Sequence, residues 1–264
     1  MEMEKQTAAM KGLELFSLEG KRALVTGASR GLGRAMAEAL ARAGADVVCA
    51  SSQLSGTDET AAVIRALGRQ AWQVAADFSD RTELERMARE AEEKAGQIDI
   101  LVNNAGTIRR YPAAEYPLEA WDEVLRVNLD AVFFLCQYFG RKMIARRAGK
   151  IINVASLLSF SGGILVPAYT ASKHGVAGLT KALANEWARY NVQVNAIAPG
   201  YFATDNTRAL REDPVRSQEI LSRIPAGRWG EPPDLAGAVI FLASSASDYV
   251  NGHILVVDGG WMAR

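Results

Sequence analysis

The sequence has little cysteine or histidine and no net charge. Of its 264 residues, two are cysteines (Cys49 and Cys136) and two are histidines. Two cysteines are too few for a disulfide framework and lack metal-site spacing, so we expect no metal centre and two buried thiols in a reducing compartment. Thirty basic residues balance thirty acidic ones. No overall field would therefore attract nucleic acid or an anionic membrane.

Long apolar runs are also missing. No stretch approaches the ~18 consecutive apolar residues of a membrane helix. Residues 1–16 contain Glu2, Glu4 and Glu14 and no apolar core, unlike a secretory signal. These features predict a loosely ordered extension over residues 1–16, a single domain over 17–264, and a cytoplasmic protein without a membrane partner.

Short apolar runs alternate with longer amphipathic segments along the chain. The apolar runs lack strict alternation of apolar and polar residues, which is typical of strands covered on both faces. Strand–helix alternation predicts the α/β class, with a parallel sheet between two layers of helices. Strands are predicted at 22–26, 46–50, 71–76, 98–103, 150–154, 192–198 and 253–257, and helices at 33–43, 59–67, 81–94, 118–146, 168–190 and 233–242.

Three segments allow two interpretations each. The helices 118–146 and 168–190 carry more apolar surface than one sheet face needs, which indicates either a subunit interface or a thick core. The polar segment 201–225 is either a mobile lid over a pocket or a plain surface insertion.

A glycine-rich loop, TGASRGLG (26–33), joins the first strand to the first helix. A strand, a glycine loop and a helix in this order place backbone N–H groups and the helix dipole where a pyrophosphate can bind. The spacing G-x3-G-x-G differs from the commoner G-x-G-x-x-G, but its place at the first βα turn favours nucleotide binding over an ordinary turn. The candidate contacts are Gly27, Ser29, Arg30, Gly31, Leu32 and Gly33.

The end of the second strand favours NADP(H) over NAD(H). An acid there would bind the adenosine ribose and select NAD, but the chain has Ser51 and Ser52 and no acid before Asp58. Arg30 could pair with a 2′-phosphate in the same space, helped by these serines. The alternative is that Arg30 is a solvated surface charge.

Other strand ends carry further candidate cofactor contacts, because ligands of open α/β sheets bind at the carboxyl ends of the strands. A carboxylate after the third strand can accept from an adenine amino group, and the end of the sixth strand would lie near a nicotinamide carboxamide. These candidates are Asp77 and Phe78, then Asn104, Ala105 and Gly106, and finally Pro199, Gly200 and Thr204.

Tyr169 and Lys173 lie four residues apart in a predicted helix, on one face. A phenol with a pKa near ~10 is a weak acid at neutral pH, and a neighbouring ammonium would lower that pKa. Ser156, just past the fifth strand, could hold a substrate oxygen beside the phenol. Asn128, a polar residue in an apolar helix, is either part of this site or a structural amide.

Together these residues resemble the short-chain dehydrogenase/reductase family. The resemblance implies a single Rossmann-like domain with a seven-stranded parallel sheet, NAD(P)(H) as cofactor and a homotetramer. It also implies that Tyr169 protonates the carbonyl oxygen, that Lys173 binds the nicotinamide ribose and that Asn128 helps hold a relay water. Ser156 and Tyr169 would contact the substrate. The matching motifs are TGASRGLG (26–33), Asp77, NNAG (103–106), Asn128, Ser156, YTASK (169–173) and PGYFAT (199–204).

Within this family the chain is similar to dehydrogenases of keto-deoxy sugar acids, the 2-dehydro-3-deoxy-D-gluconate 5-dehydrogenase group of uronate breakdown. The likeness is strongest in the C-terminal half, for example in RIPAGRWG (223–230). A sugar acid needs a cation near the pocket, for which Arg109 is the first candidate and the lid residues Arg208 and Arg216 weaker ones. The alternatives are a 3-oxoacyl-carrier-protein reductase and a nucleotide-binding protein without turnover.

Overall fold

The computed structural model describes residues 12–264, which form one parallel sheet flanked by helices. Among these residues the sheet has seven strands in the order β3-β2-β1-β4-β5-β6-β7, and every pairing is parallel. This confirms the predicted α/β class and Rossmann-like sheet. The strands are β1 (Arg22–Thr26), β2 (Asp46–Ser51), β3 (Ala71–Ala75), β4 (Ile100–Asn103), β5 (Gly149–Val154), β6 (Val192–Pro199) and β7 (Ile254–Val257).

Helices cover both faces of the sheet. Successive residues of one strand point to opposite faces: Leu24 packs into one apolar layer and Val25 into the other. Burial on both sides explains why the strands lack polar–apolar alternation. The helices are α1 (Gly31–Arg42), α2 (Asp58–Ala66), α3 (Arg81–Ala95), α4 (Leu118–Leu125), α5 (Ala131–Arg146), α6 (Pro167–Trp187), α7 (Arg208–Glu212), α8 (Pro214–Arg223) and α9 (Ala236–Ala243).

The strand order reverses at β1, and this reversal positions the site. The chain adds β2 and β3 on one side of β1 and then crosses to the other side for β4. The connections leaving β1 and β4 therefore diverge at the carboxyl edge, which opens a crevice between them.

The long helix predicted over 118–146 is interrupted. A π-helical turn, Arg126–Asp130, separates α4 from α5 and contains the buried Asn128. Such one-residue widenings are often found at functional sites. The hydrophobic pattern over 118–146 does not indicate this interruption.

Only part of the predicted N-terminal extension, residues 1–16, is described. Residues 1–11 of the expected N-terminal extension lie outside the described residues, whereas Gly12–Phe16 forms a 3-10 helix whose Leu15 carbonyl accepts a hydrogen bond from Ser245. Among residues 12–264, no helix is both long and apolar enough to cross a membrane.

Candidate active site

The glycine loop after β1 packs closely against the end of β4. Gly27 has a φ of +66°, which favours glycine, and a Cβ at Gly33 would overlap the Gly27 carbonyl oxygen and the Asn104 side chain. The Asn104 amide donates to the carbonyls of Thr26 (2.9 Å) and Gly27 (3.2 Å). The close packing and the hydrogen bonds therefore fix the conformation of the loop, and the N-terminus of α1 points into the crevice.

The crevice brings together most of the predicted cofactor residues with the two central catalytic candidates. It is lined on one side by the glycine loop, on another by the loop after β4, and at the far end by α6 and the segment after β6. The lining residues are Gly27, Ser29, Arg30, Gly31, Leu32, Gly33, Asn104, Ala105, Gly106, Thr107, Val154, Tyr169, Lys173, Thr204, Asp205 and Asn206.

The predicted adenosine contacts lie beyond this lining. Ser51 is buried and its hydroxyl donates to the Gln53 carbonyl at 2.5 Å, whereas Ser52 is exposed. Asp77 is exposed and accepts from the Ser79 backbone and hydroxyl, two hydrogen bonds that lower its pKa. Phe78, which follows it, is buried.

Pro199 and Gly200, the predicted cofactor contacts in the turn after β6, do not line the crevice either. Pro199 ends β6, and a Cβ at Gly200 would lie 2.7 Å from the Cα of Asp258. Gly200 therefore permits close packing of this turn on the segment after β7. That packing directs the chain towards Thr204, whose side chain faces Gly31 in the crevice.

Tyr169 lies near the start of α6, where its phenol meets the Ser156 hydroxyl. Burial raises the pKa of the phenol, while a hydrogen bond from Ser156 and the positive charge of Arg110 act in the opposite direction. The net effect is a raised pKa, so the phenol is protonated at neutral pH. Ser156 is itself fixed, because its oxygen accepts from the Leu158 backbone at 3.2 Å.

Lys173 is buried one turn further along α6. Its ammonium donates to the Val154 carbonyl at 2.6 Å and lies 5.5 Å from the centre of the Tyr169 ring. Burial lowers the pKa of Lys173 to about 8. The ammonium is therefore mostly charged at neutral pH but is readily deprotonated above it.

The expected direction of the Tyr169 pKa is wrong for this structure. The sequence predicts that Lys173 lowers it, whereas the pKa is raised and the charge that lowers it belongs to Arg110. The reason is burial of the phenol, which raises its pKa by more than the hydrogen bond from Ser156 and the charge of Arg110 lower it.

Asn128 does not line the crevice; it holds two segments of the site together. Its Oδ1 accepts from the Thr107 backbone N–H (2.8 Å), and its Nδ2 donates to the Thr107 carbonyl (2.9 Å) and to the Ser172 hydroxyl (3.2 Å). Ser172 in turn donates to the Tyr169 carbonyl at 2.7 Å. Both amide hydrogens are used within the protein, so the side chain fixes the loop after β4 against the helix that carries Tyr169.

Arg109, the predicted carboxylate contact, is engaged within the protein. It donates to Glu123 at 2.6 Å and to the Thr107 hydroxyl at 3.0 Å, and its carbonyl accepts from Tyr116. The neighbouring Arg110 is exposed and exerts its charge on Tyr169. The arginine whose positive charge acts on the phenol is thus Arg110 rather than Arg109.

Thr204, Asp205 and Asn206 of the segment 201–225 line the crevice. We call this segment the lid, although its mobility stays a prediction. A 3-10 turn, Asp205–Thr207, begins it, followed by α7 and α8. Arg110 donates to the Asn206 carbonyl at 3.2 Å, and Asp205 lies 3.3 Å from the Nε of Arg30.

The weaker substrate candidates lie on the surface. Arg208 pairs with Asp205 and Arg216 with Glu219, both on the lid. His174 is exposed, and its ring nitrogen lies 3.1 Å from the Thr170 carbonyl on its own helix.

Sequence reasoning missed four crevice residues: Thr107, Val154, Asp205 and Asn206. Thr107 directly follows the predicted contact Gly106, and Val154 is the last residue of β5, so the carboxyl ends of these strands could have indicated both. Asp205 and Asn206 follow Thr204 in a polar insertion, where only folding shows which side chains turn inward.

Comparison with known proteins places this geometry in a family. The short chain dehydrogenase family profile matches residues 21–215. A 2-dehydro-3-deoxy-D-gluconate 5-dehydrogenase of Bacillus subtilis (strain 168) is 56% identical over 251 residues, which are 95% of this chain and 98% of the relative.

Two solved structures are similar over nearly the whole chain. One, provisionally named a 2-deoxy-D-gluconate 3-dehydrogenase of Agrobacterium tumefaciens and holding NADP, is 56% identical with a TM-score of 0.88, covering 95% of this chain and 99% of that one. The other, a gluconate 5-dehydrogenase of Burkholderia cenocepacia J2315 with NADP and tartrate, is 44% identical with a TM-score of 0.92, covering 96% and 99%. The protein belongs to the short-chain dehydrogenase family.

Proposed function

We propose that the protein is an NAD(P)-dependent dehydrogenase that interconverts a hydroxyl and a ketone on a keto-deoxy sugar acid. The observation that carries the proposal is the crevice itself, in which Tyr169 and Lys173 face the glycine loop. A proton donor with an adjacent ammonium, opposite a phosphate cradle, fits carbonyl reduction and alcohol oxidation.

The residues present fit a nicotinamide dinucleotide. A Cβ would fill the cradle at Gly33, and the first turn of α1 offers backbone N–H groups to a pyrophosphate. Lys173 would hold the nicotinamide ribose and Arg30 the adenosine 2′-phosphate. When bound, the nicotinamide gives or accepts the hydride. Further contacts are proposed at Ser51, Ser52, Asp77 and Phe78 on the adenosine side and at Pro199, Gly200 and Thr204 on the nicotinamide side.

The chain's own residues handle the proton. Tyr169, protonated at neutral pH by its raised pKa, gives its proton to the carbonyl oxygen during reduction and takes it back during oxidation. The Ser156 hydroxyl donates a hydrogen bond to the same carbonyl oxygen of the substrate. Asn128 is a positioning residue here; a water-holding role would use the second lone pair of Oδ1 or the backbone carbonyl of the π turn.

Arg110 is the proposed contact for the substrate carboxylate. It is exposed at the crevice mouth and its charge acts on Tyr169. A carboxylate bound by Arg110 would bring a nearby hydroxyl or ketone of the same molecule to the phenol. The names of the relatives agree with such a substrate, since they describe acids of the gluconate type.

The test is a turnover screen with purified protein. Keto-deoxy sugar acids and gluconate are compared with acetoacetyl thioesters, each with NAD(H) and NADP(H). Turnover of a sugar acid with at least ~10-fold higher kcat/KM than of any thioester supports the proposal. Preference for the thioester would support the carrier-protein reductase instead, and no turnover of either class would overturn both.

The proposal extends to assembly and location. We infer a homotetramer, because Phe133 on α5 is 41% exposed within a helix pair rich in apolar residues. Two buried free cysteines accord with the cytoplasm. Light scattering on the purified protein tests the tetramer; a monomer at micromolar concentration would contradict it.

A further inference from the structure

Asp205, in the first turn of the lid, lies between two arginines. Its Oδ2 is 3.3 Å from the Nε of Arg30, and its Oδ1 is 2.5 Å from a terminal nitrogen of Arg208. Arg30 belongs to the glycine loop and Asp205 to the lid, so this ion pair joins two walls of the crevice. The same lid turn is held from the other side, where Arg110 donates to the Asn206 carbonyl.

Arg30 adjoins the place where a 2′-phosphate would bind. Ser29 and Ser51 approach each other across Gly56: a Cβ there would lie 3.5 Å from the Cβ of Ser29 and 3.3 Å from the Ser51 hydroxyl. The glycine loop therefore meets the serine-bearing end of β2 directly beside Arg30. The Arg30 side chain is 76% exposed, so little packing prevents it from turning between the lid and β2.

An arginine that pairs with a carboxylate has fewer of its five N–H donors left for a phosphate. Asp205 engages the Nε edge of the Arg30 guanidinium, so this edge is not available to a phosphate while the ion pair persists. NAD(H) has no 2′-phosphate and does not need Arg30. Asp205 thus disfavours one nucleotide and leaves the other unaffected.

We propose that Asp205 is a specificity-determining residue that lowers the preference for NADP(H) by competing for Arg30. The inference rests on the proposed contact between Arg30 and the 2′-phosphate. The cofactor preference would then depend on two places: the end of β2, where the missing acid favours NADP(H), and Asp205 on the lid, which opposes that preference.

Direct nucleotide binding tests this without any substrate. NADPH and NADH are titrated by their fluorescence into the wild type, Asp205→Asn, Arg30→Ala and the double variant. Glu212→Gln, which removes an exposed lid carboxylate in α7, is the matched control for lid charge. We expect Asp205→Asn to tighten NADPH binding about 3- to 10-fold and to change NADH binding less than about 2-fold. Glu212→Gln should change neither by more than that.

The double variant decides whether Asp205 acts through Arg30. In the Arg30→Ala background the Asp205→Asn substitution should change NADPH binding less than about 2-fold. A full effect in that background, an equal effect on NADH, or no effect of Asp205→Asn at all would overturn the inference. If Arg30→Ala weakens NADPH and NADH equally, the proposed phosphate contact itself fails. If it weakens NADPH alone while Asp205→Asn is silent, only the inference about Asp205 falls.

Discussion

The ammonium of Lys173 lies 5.5 Å from the centre of the Tyr169 ring, and both residues face the glycine loop across the crevice. The ammonium is buried with a single carbonyl, that of Val154, as its hydrogen-bond acceptor among the described residues. A charged group in this setting costs stability, which the low pKa of about 8 reflects. Such a cost is typical of a residue kept for function.

Lys173→Met should therefore stabilise the protein in the absence of nucleotide while removing activity and weakening nucleotide binding. The folded protein holds the Lys173 proton less tightly than the unfolded chain, with a pKa of about 8 against 10.5. The contribution of Lys173 to wild-type stability should then rise as the pH increases from about 8 to 10.5, and below this window the charged lysine costs on the order of 3 kcal/mol. The measurement is the free energy of unfolding in urea at pH 7 and pH 10.

The control for this experiment is Lys181→Met, which removes an exposed lysine from the same helix. It should change the free energy of unfolding by less than about 0.5 kcal/mol and leave turnover intact. A Lys173→Met variant that is less stable than the wild type at pH 7, or that binds nucleotide and turns over normally, would contradict the assigned role.

Arg110→Ala should raise the KM for a sugar acid by about 10- to 100-fold, since it removes a charged hydrogen bond to the carboxylate. The KM for the uncharged methyl ester of the same acid should change little. The substitution also removes a charge that lowers the pKa of Tyr169. In oxidation the phenol must lose its proton to act as base, so the rate rises with pH as it ionises. This ascending limb of the pH–rate profile should consequently move to higher pH.

The neighbouring arginine provides the contrast. Arg109→Ala breaks the contacts with Glu123 and Thr107, so it should lower stability and impair the acid and its ester alike. Selective loss of the acid with Arg109→Ala, and not with Arg110→Ala, would restore Arg109 as the substrate contact.

Gly33→Ala should abolish nucleotide binding. The added methyl would overlap the Gly27 carbonyl and the Asn104 amide, so the glycine loop would have to move. Gly237→Ala is the matched control, because a Cβ at Gly237 in α9 meets no atom within 4 Å. Isothermal titration with NADPH should show no binding for Gly33→Ala and unchanged binding for the control. Wild-type affinity in Gly33→Ala would contradict the cradle.

The strands and the crevice were largely predictable because they depend on local patterns. The first strand was predicted at 22–26 and runs over Arg22–Thr26, and the fourth begins at Ile100, two residues after the predicted start. Apolar runs covered on both faces define strands well, and the carboxyl ends of those strands define the crevice.

The remaining features depend on contacts between distant residues. Arg109 and Arg110 are indistinguishable in sequence, and their roles separate only because Glu123, fourteen positions along, pairs with the first of them. The π turn at Asn128 changes the helix by one residue, which periodicity does not resolve. The pairing of Arg30 with Asp205 requires the lid to fold over the glycine loop.

Turnover and nucleotide binding by Tyr169→Phe together test the central claim most directly. The substitution removes one oxygen from the crevice and leaves the aromatic ring beside Lys173. The account predicts that kcat for the sugar acid falls by about 10²- to 10⁴-fold, the range of general acid–base catalysis, while the dissociation constant of NADPH changes less than about 3-fold. Undiminished turnover in Tyr169→Phe would contradict the claim that this phenol carries the proton.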